Sequence, residues 1–424
     1  MISIDYLILG AGISGLAAGQ KLKENGKNFL ILEKNDSYGG LCDNFQINGF
    51  RFDRFVHFSF TNNRDVRKFF DQVEYYAHQP IAYNYYNGYW IKHPAQNNLL
   101  PISKEEKQLV LDGIKNRQKY KNSYQNDYEK WLRFQFGDYF AENFPMKYTR
   151  KYWGVEAREL ETKWVGNRVY QPTFDEILEG MNTQETPITY YAKEMRYPKS
   201  GGFKAFLSGF VYENCIKYNQ EVIKIDAKNK LVYTMDETYS YNYLISSIPL
   251  PEYKKLMEID CNVKNLIDKL YWTSAYIVSL GFKNSLNRND LWQYIYNEDI
   301  LPARIYSPSL KSPDNCPEGC SSIQAEIYFK NTKAPNQSKE WILDNTLNQL
   351  NKAKIINLDD LIIKDIRFEK YANIIFDHNI YSCRDKIRNY LSKENIITIG
   401  RFGEWKYFWS DQSFLSGYNF NSNL

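Results

Sequence analysis

The sequence is poor in the residues that staple small proteins or bind metals. Six cysteines and four histidines are spread over 424 residues, too few for a disulfide framework. The only close cysteine pair, Cys316 and Cys320 in CPEGC, has no second pair or histidine cluster nearby, so it reads as a turn with free thiols and no metal is expected. No apolar run reaches the roughly 18 residues of a membrane span. The opening stretch MISIDYLILGAGISG lacks the basic segment and cleavable apolar segment of a secretory signal. A reducing, cytoplasmic setting without membrane attachment is the expectation. Charge is nearly balanced, with 54 Lys and Arg against 50 Asp and Glu, which argues against the concentrated basic surface of a nucleic-acid binder. The basic stretch 115–130, with interleaved tyrosines, reads as a solvated helical face. No GxSxG elbow, HExxH pair or phosphate-binding P-loop is present.

What is present is an ordinary globular balance, 43% hydrophobic, in a chain long enough for a large core and about two to four domains. Aromatic residues reach 17%, with 36 tyrosines. Lys, Asn and Ile are also abundant, as AT-rich coding produces, so only a few tyrosines at particular places carry information.

Residues 4–9 read as a buried strand, 14–25 as a helix and 28–33 as a second strand, the opening βαβ unit of a dinucleotide-binding fold. Residues 103–141 and 174–181 carry helical spacing. Residues 220–250 alternate like hairpins, and 271–283, 291–297 and 320–330 read as longer strands of a second sheet. Residues 395–400 form a last apolar strand ending in glycine. The expected class is α/β: a discontinuous Rossmann-like cofactor domain (1–77, 197–252, 365–424), a helical insert (100–180), and a second, mostly antiparallel sheet domain (78–99, 181–196, 253–364).

The sharpest motif is Gly10-Ala-Gly12-Ile-Ser-Gly15 between strand and helix. Gly10 permits the tight turn, Gly12 lets backbone approach a pyrophosphate, and Gly15 allows helix to pack on strand. Glu33 ends the second strand, 18 residues after Gly15, where a carboxylate accepts ribose hydroxyls. The second glycine pair, Gly39-Gly40, and the GRFG stretch at 400–403 favour FAD over NAD. Val222 either holds adenine through its backbone or is a plain strand valine.

Six blocks then carry a resemblance. They are GFRFDRFVHFSF (49–60), HQPIAYNYYNGYWIKHPAQNNL (78–99), YTRKYWGVEARELETKWVGNRV (148–169), YPKSGG (197–202), LWQYIYNEDILPARIYSP (291–308) and GRFGEWKYFWSDQSF (400–414). In this order the chain resembles UDP-galactopyranose mutases of the eukaryotic type, within the amine-oxidase-like FAD flavoproteins. The resemblance implies that FAD, active when reduced, attacks the anomeric carbon of a nucleotide-diphosphate sugar through its N5 atom. The sugar then interconverts between pyranose and furanose without net redox, supplying furanose for surface polysaccharide. NADPH or NADH is the implied reductant, and homo-oligomerisation stays open.

By the same resemblance Arg168 and Arg304 hold the diphosphate, where guanidinium forks suit phosphate better than lysine. His57 faces the flavin, Tyr294 and Tyr407 donate to the diphosphate, and Arg401 sits at the flavin and sugar. Trp153 lies beside the substrate. The implied cofactor set adds Ser14, Lys34, Gly40, Leu41, Val56, Gly400, Asp411, Gln412 and Ser413, with Asp411 also toward the sugar. Around the base, His93 and Ala95 stand where the family pattern has aromatics, Gln96 is kept, Thr149 replaces an Asn and Pro80 an Arg. An alanine there removes a stacking face, so a different or larger base, guanine or thymine, is the expectation. Two alternatives stand beside the isomerase reading: a net-redox FAD oxidoreductase of the amine oxidase or desaturase kind, and a noncatalytic nucleotide-sugar-binding flavoprotein.

Overall fold

A computed structural model describes residues 1–190, 192–286 and 288–420. The N-terminal strand Ile2–Leu9 is buried over its last four residues, as a continuous apolar run flanked on both sides requires. It pairs in parallel with Phe29–Leu32 and with Thr238–Ser246. The sheet runs Val222–Asp226, Leu231–Thr234, Thr238–Ser246, Ile2–Leu9, Phe29–Leu32, Ile216–Lys217, and Ile396–Thr398 also pairs with Thr238–Ser246. Three separate stretches of chain thus complete one Rossmann-like sheet, with the hairpin Val222–Asp226/Leu231–Thr234 as its antiparallel edge.

The second sheet runs Leu361–Ile374, Trp272–Phe282, Ser321–Lys330, Arg304–Tyr306, Trp292–Ile295, Ala82–Tyr86, Tyr89–Lys92. Its pairings are antiparallel apart from Trp292–Ile295 with Ala82–Tyr86. The domain boundary expected after residue 364 falls inside Leu361–Ile374. That strand pairs antiparallel with Trp272–Phe282 with register shifts near both ends, between Thr273 and Ala275 and between Gly281 and Phe282, and brings residues 369–373 to the cavity wall.

The insert forms Lys104–Asn116, Tyr128–Phe136, Asp138–Asn143, Pro145–Trp153 and Phe174–Asn182. Ser103 with Glu106 and Thr173 with Glu176 form capping boxes that satisfy the first-turn amides of their helices. Val110, Leu132, Phe136, Phe140 and Phe144 join one buried cluster with residues of the Rossmann-like sheet, so these helices share a core with that sheet. No helix among the described residues is long and apolar enough to cross a membrane.

Candidate active site

The Rossmann turn is built by close approach. Gly10 has φ of +96°, and a Cβ on Gly15 would lie 1.9 Å from the Gly10 carbonyl oxygen, so helix Ile13–Glu24 can start here only without one. Gly12 differs: a Cβ there would meet no protein atom within 4 Å, and Gly12 borders a cavity of about 1550 Å³. No side chain caps this helix, which leaves its first amides to an anion. Glu33 is buried and accepts from Ala11 N at 2.8 Å and Asn35 N at 3.0 Å. Gly39 donates to Ala11 O at 2.9 Å, bringing the second glycine pair onto the first. This cradle fits a dinucleotide.

The same cavity continues to the helical insert. Of the residues expected at the site, Gly10, Gly12, Ser14, Glu33, Lys34, Gly40, Leu41, Val56, His57, His93, Gln96, Thr149, Trp153, Arg168, Val222, Tyr294, Arg304, Gly400, Arg401, Tyr407 and Ser413 line it. The arginines are held from behind. Arg168 donates to the carbonyls of Trp164 and Tyr407, both at 2.9 Å. Arg401 donates to Asn373 Oδ1 at 2.7 Å. The Tyr407 ring is flanked by both guanidiniums, with centroid distances of 4.7 and 5.0 Å. Arg304 donates from Nε to Glu326 Oε2 at 2.6 Å. Burial alone would depress Arg304, but the Glu326 carboxylate more than offsets it and keeps the guanidinium charged.

His57 donates from Nδ1 to the Phe55 carbonyl at 2.9 Å. Burial pushes it down to about 4, with Lys311 acting in the same direction and Asp53 against it, so the ring is neutral near pH 7. His93 is pushed down to about 3 by burial. Its Nδ1 donates to Asn84 Oδ1 at 3.1 Å. The Asn84 amide nitrogen is spent on the Ile91 and Lys92 carbonyls, so Asn84 Oδ1 is an acceptor and the proton sits on Nδ1.

Four expected positions do not line the cavity. Gly15 serves packing, as above. Ala95 is fully buried in the turn Ala95–Asn97, whose fold after Pro94 sends its methyl into the core while His93 and Gln96 face the cavity. Asp411 and Gln412 lie on other faces of helix Ser410–Tyr418 than Ser410 and Ser413, three apart, which take the cavity side. Gln412 instead accepts from Trp409 N at 3.0 Å.

Several residues that the sequence did not single out also line the cavity. Tyr148 and Tyr152 do so from helix Pro145–Trp153, and Asn373 from Leu361–Ile374. Asn373 accepts from Tyr152 OH as well as Arg401. Tyr148 OH and Arg401 Nε are buried without a protein partner among the described residues. Buried polar atoms without partners in a cavity wall are expected where a polar ligand completes them.

Residues 8–73 match the NAD(P)-binding Rossmann-like domain family. The all-trans-retinol 13,14-reductase of Danio rerio is 38% identical over 72 residues, 16% of this chain and 12% of the reductase. The UDP-galactopyranose mutase of Mycoplasma pneumoniae is 36% identical over 81 residues, 18% of this chain and 20% of the mutase. Both matched stretches thus cover a fifth or less of the relatives' length. A crystal structure of reduced UDP-galactopyranose mutase superposes with a TM-score of 0.90 at 23% identity, covering 98% of this chain and 94% of the other. The chain therefore carries a Rossmann-like dinucleotide-binding unit within a UDP-galactopyranose mutase fold that extends over nearly its whole length.

Proposed function

We propose that the protein is an FAD-dependent isomerase that interconverts pyranose and furanose forms of a nucleotide-diphosphate sugar. One observation carries this reading: a single cavity joins the glycine cradle to Arg168, Arg304 and Arg401. The cradle suits FAD, which the amides after Gly12, Glu33 and the glycine pair at 39–40 would hold. When bound and reduced, FAD supplies the nucleophile toward the sugar. The chain's own part is electrostatic. A departing diphosphate gathers negative charge, and Arg168 and Arg304 are fixed in advance to meet it. Tyr148 and Tyr294 add hydroxyls without formal charge. Trp153 and Tyr152 exclude water from the sugar's end of the cavity, which strengthens each of these contacts. NADPH or NADH is the proposed electron source, and supply of furanose for surface polysaccharide the proposed role.

The likeness to the retinol reductase favours a second reading, net-redox chemistry on an apolar substrate. It is confined to a stretch of 72 residues, and a hydrocarbon gives three arginines nothing to bind. A panel of UDP-, dTDP- and GDP-sugars, incubated with oxidised and with anaerobically reduced protein and then chromatographed, separates the two. An isomeric peak that needs reduced flavin supports the isomerase. Consumption of reducing equivalents with an unsaturated substrate, and no isomer from any sugar, would replace it with the redox reading.

A further inference from the structure

Behind the His57 loop lies a closed ion pair. Lys311 Nζ is 3.0 Å from Asp53 Oδ2, and both side chains are 0% exposed. Asp53 ends strand Phe50–Asp53, four residues before His57. Lys311 ends the short helix Pro308–Lys311. Its ammonium packs over the rings of Tyr306, Tyr197 and Phe58, at 4.7, 4.9 and 5.4 Å from their centroids. Asp53 accepts two further hydrogen bonds, from Tyr197 OH at 2.8 Å and from the backbone N–H of Phe203 at 3.1 Å. The latter contact depends on Gly202, where φ is +70° and a Cβ would lie 3.0 Å from Asp53 Oδ1. The Phe203 ring in turn stacks on the His57 imidazole, with centroids 4.9 Å apart and planes 29° apart. Lys311, Asp53, Phe203 and His57 form one line of contacts, of which only His57 borders the cavity.

Buried ion pairs are poor devices for stability, because apolar residues of the same shape serve packing as well or better. A charge pair retained beside an imidazole asks for another reason. We propose that Asp53 and Lys311 are positioning residues for His57: Asp53 holds Phe203 against the imidazole, and Lys311 cancels the Asp53 charge that would otherwise draw a proton onto the ring. The charged groups around His57 fit this arrangement. Asp53 is matched by Lys311. Glu326, on strand Ser321–Lys330, is matched by Arg304 and also accepts from Tyr328 OH at 2.7 Å. Both carboxylates near the imidazole therefore have their own cation, and burial keeps the ring neutral. The consequence for turnover rests on the proposed flavin-facing role of His57, whereas its protonation state does not.

The test follows the imidazole resonances of the four histidines by NMR in the flavin-loaded protein, from about pH 5 to 8. In the unaltered protein His57 should not titrate in that window. In Lys311→Met its midpoint should rise from about 4 into the window, and adding Asp53→Asn should remove the titration. An Asn at 53 still accepts from Phe203 N–H. His57 resonances in Lys311→Met that superpose on the parent at every pH would overturn the proposal. If Lys311→Met does not fold, the double variant decides by itself, since its His57 should stay pH-independent with the proton on Nδ1. Titration of His57 there, or a changed tautomer, would overturn the proposal too. A negative nucleotide-sugar panel would sink the isomerase reading and leave this result standing.

Discussion

Arg304 and Glu326 form an ion pair across adjacent strands, with Arg304 at the cavity wall and the carboxylate fully buried. The other Glu326 oxygen accepts from Val56 N at 3.3 Å, so one carboxylate fastens the cation to the backbone just before His57.

This pairing separates the two diphosphate arginines. Arg304→Ala strands a buried carboxylate, which should cost about 3–5 kcal/mol of stability. Arg168→Ala gives up hydrogen bonds to two carbonyls and should cost about 1.5–3 kcal/mol. Both variants should lose turnover by on the order of a hundredfold and retain FAD. Denaturant unfolding beside a turnover assay checks the ordering. Near-normal turnover in both would remove the diphosphate assignment.

His57 and His93 make stability depend on pH. Each folded midpoint, about 4 and about 3, lies below the ordinary value of about 6.5. Between these midpoints and about 6.5 the unfolded chain binds more protons, so stability rises with pH there and is lost as pH falls. His57 alone should contribute about 3 kcal/mol of this dependence. Melting temperatures at about pH 7.5 and pH 5 should fall less far apart in His57→Asn and His93→Asn than in the parent. An unchanged gap in both variants would mean that neither ring is held neutral.

What the sequence makes legible is local chemistry. A glycine turn between strand and helix, with a carboxylate at the end of the next strand, states its conformation and its ligand class in about 25 residues. Most of the expected wall residues were reached through their blocks. The remainder depends on register over long separations. Asn373 meets Arg401 and Tyr152 only because Leu361–Ile374 pairs with Trp272–Phe282. Glu326 reaches Arg304 across a strand pair, and Lys311 reaches Asp53 over 258 residues. Tyr148 is one of 36 tyrosines, and nothing in its neighbours marks its hydroxyl as lacking a partner. The place of Asp411 within its block does not carry the helical phase that turns its side chain from the cavity.

The two cradle glycines should fail in different ways. Gly12→Ala introduces a methyl that meets no protein atom at an ordinary negative φ of −71°. The apoprotein should melt as the parent does, while the flavin-to-protein absorbance ratio falls because the methyl fills ligand space. Gly15→Ala drives a methyl into the Gly10 carbonyl and should lower the melting temperature of the apoprotein itself. If Gly12→Ala binds FAD at parental stoichiometry and affinity, the cradle is not the cofactor site.

The last prediction concerns the nucleotide base, where the structure redirects the obvious experiment. A His93→Tyr, Ala95→Phe double variant would mimic the aromatic pair of the resembling family, but Ala95 has no exposed surface. Ala95→Phe should therefore overpack the core, costing about 1–3 kcal/mol, and leave nucleotide preference unchanged. His93→Tyr alone acts on the cavity. It replaces a ring whose Nδ1 is committed to Asn84 and which lies against Tyr294, with centroids 4.7 Å apart. Gln96 keeps its amide nitrogen on the Tyr170 carbonyl at 2.8 Å, so its position should survive the exchange. Titration calorimetry with UDP, dTDP and GDP should show the order of affinities changing in His93→Tyr and not in Ala95→Phe. An unchanged order in His93→Tyr as well would put the base elsewhere in the cavity, and the aromatic wall formed by Tyr148 and Tyr296 would be the next place to substitute; a changed order in Ala95→Phe would overturn the buried placement of that residue.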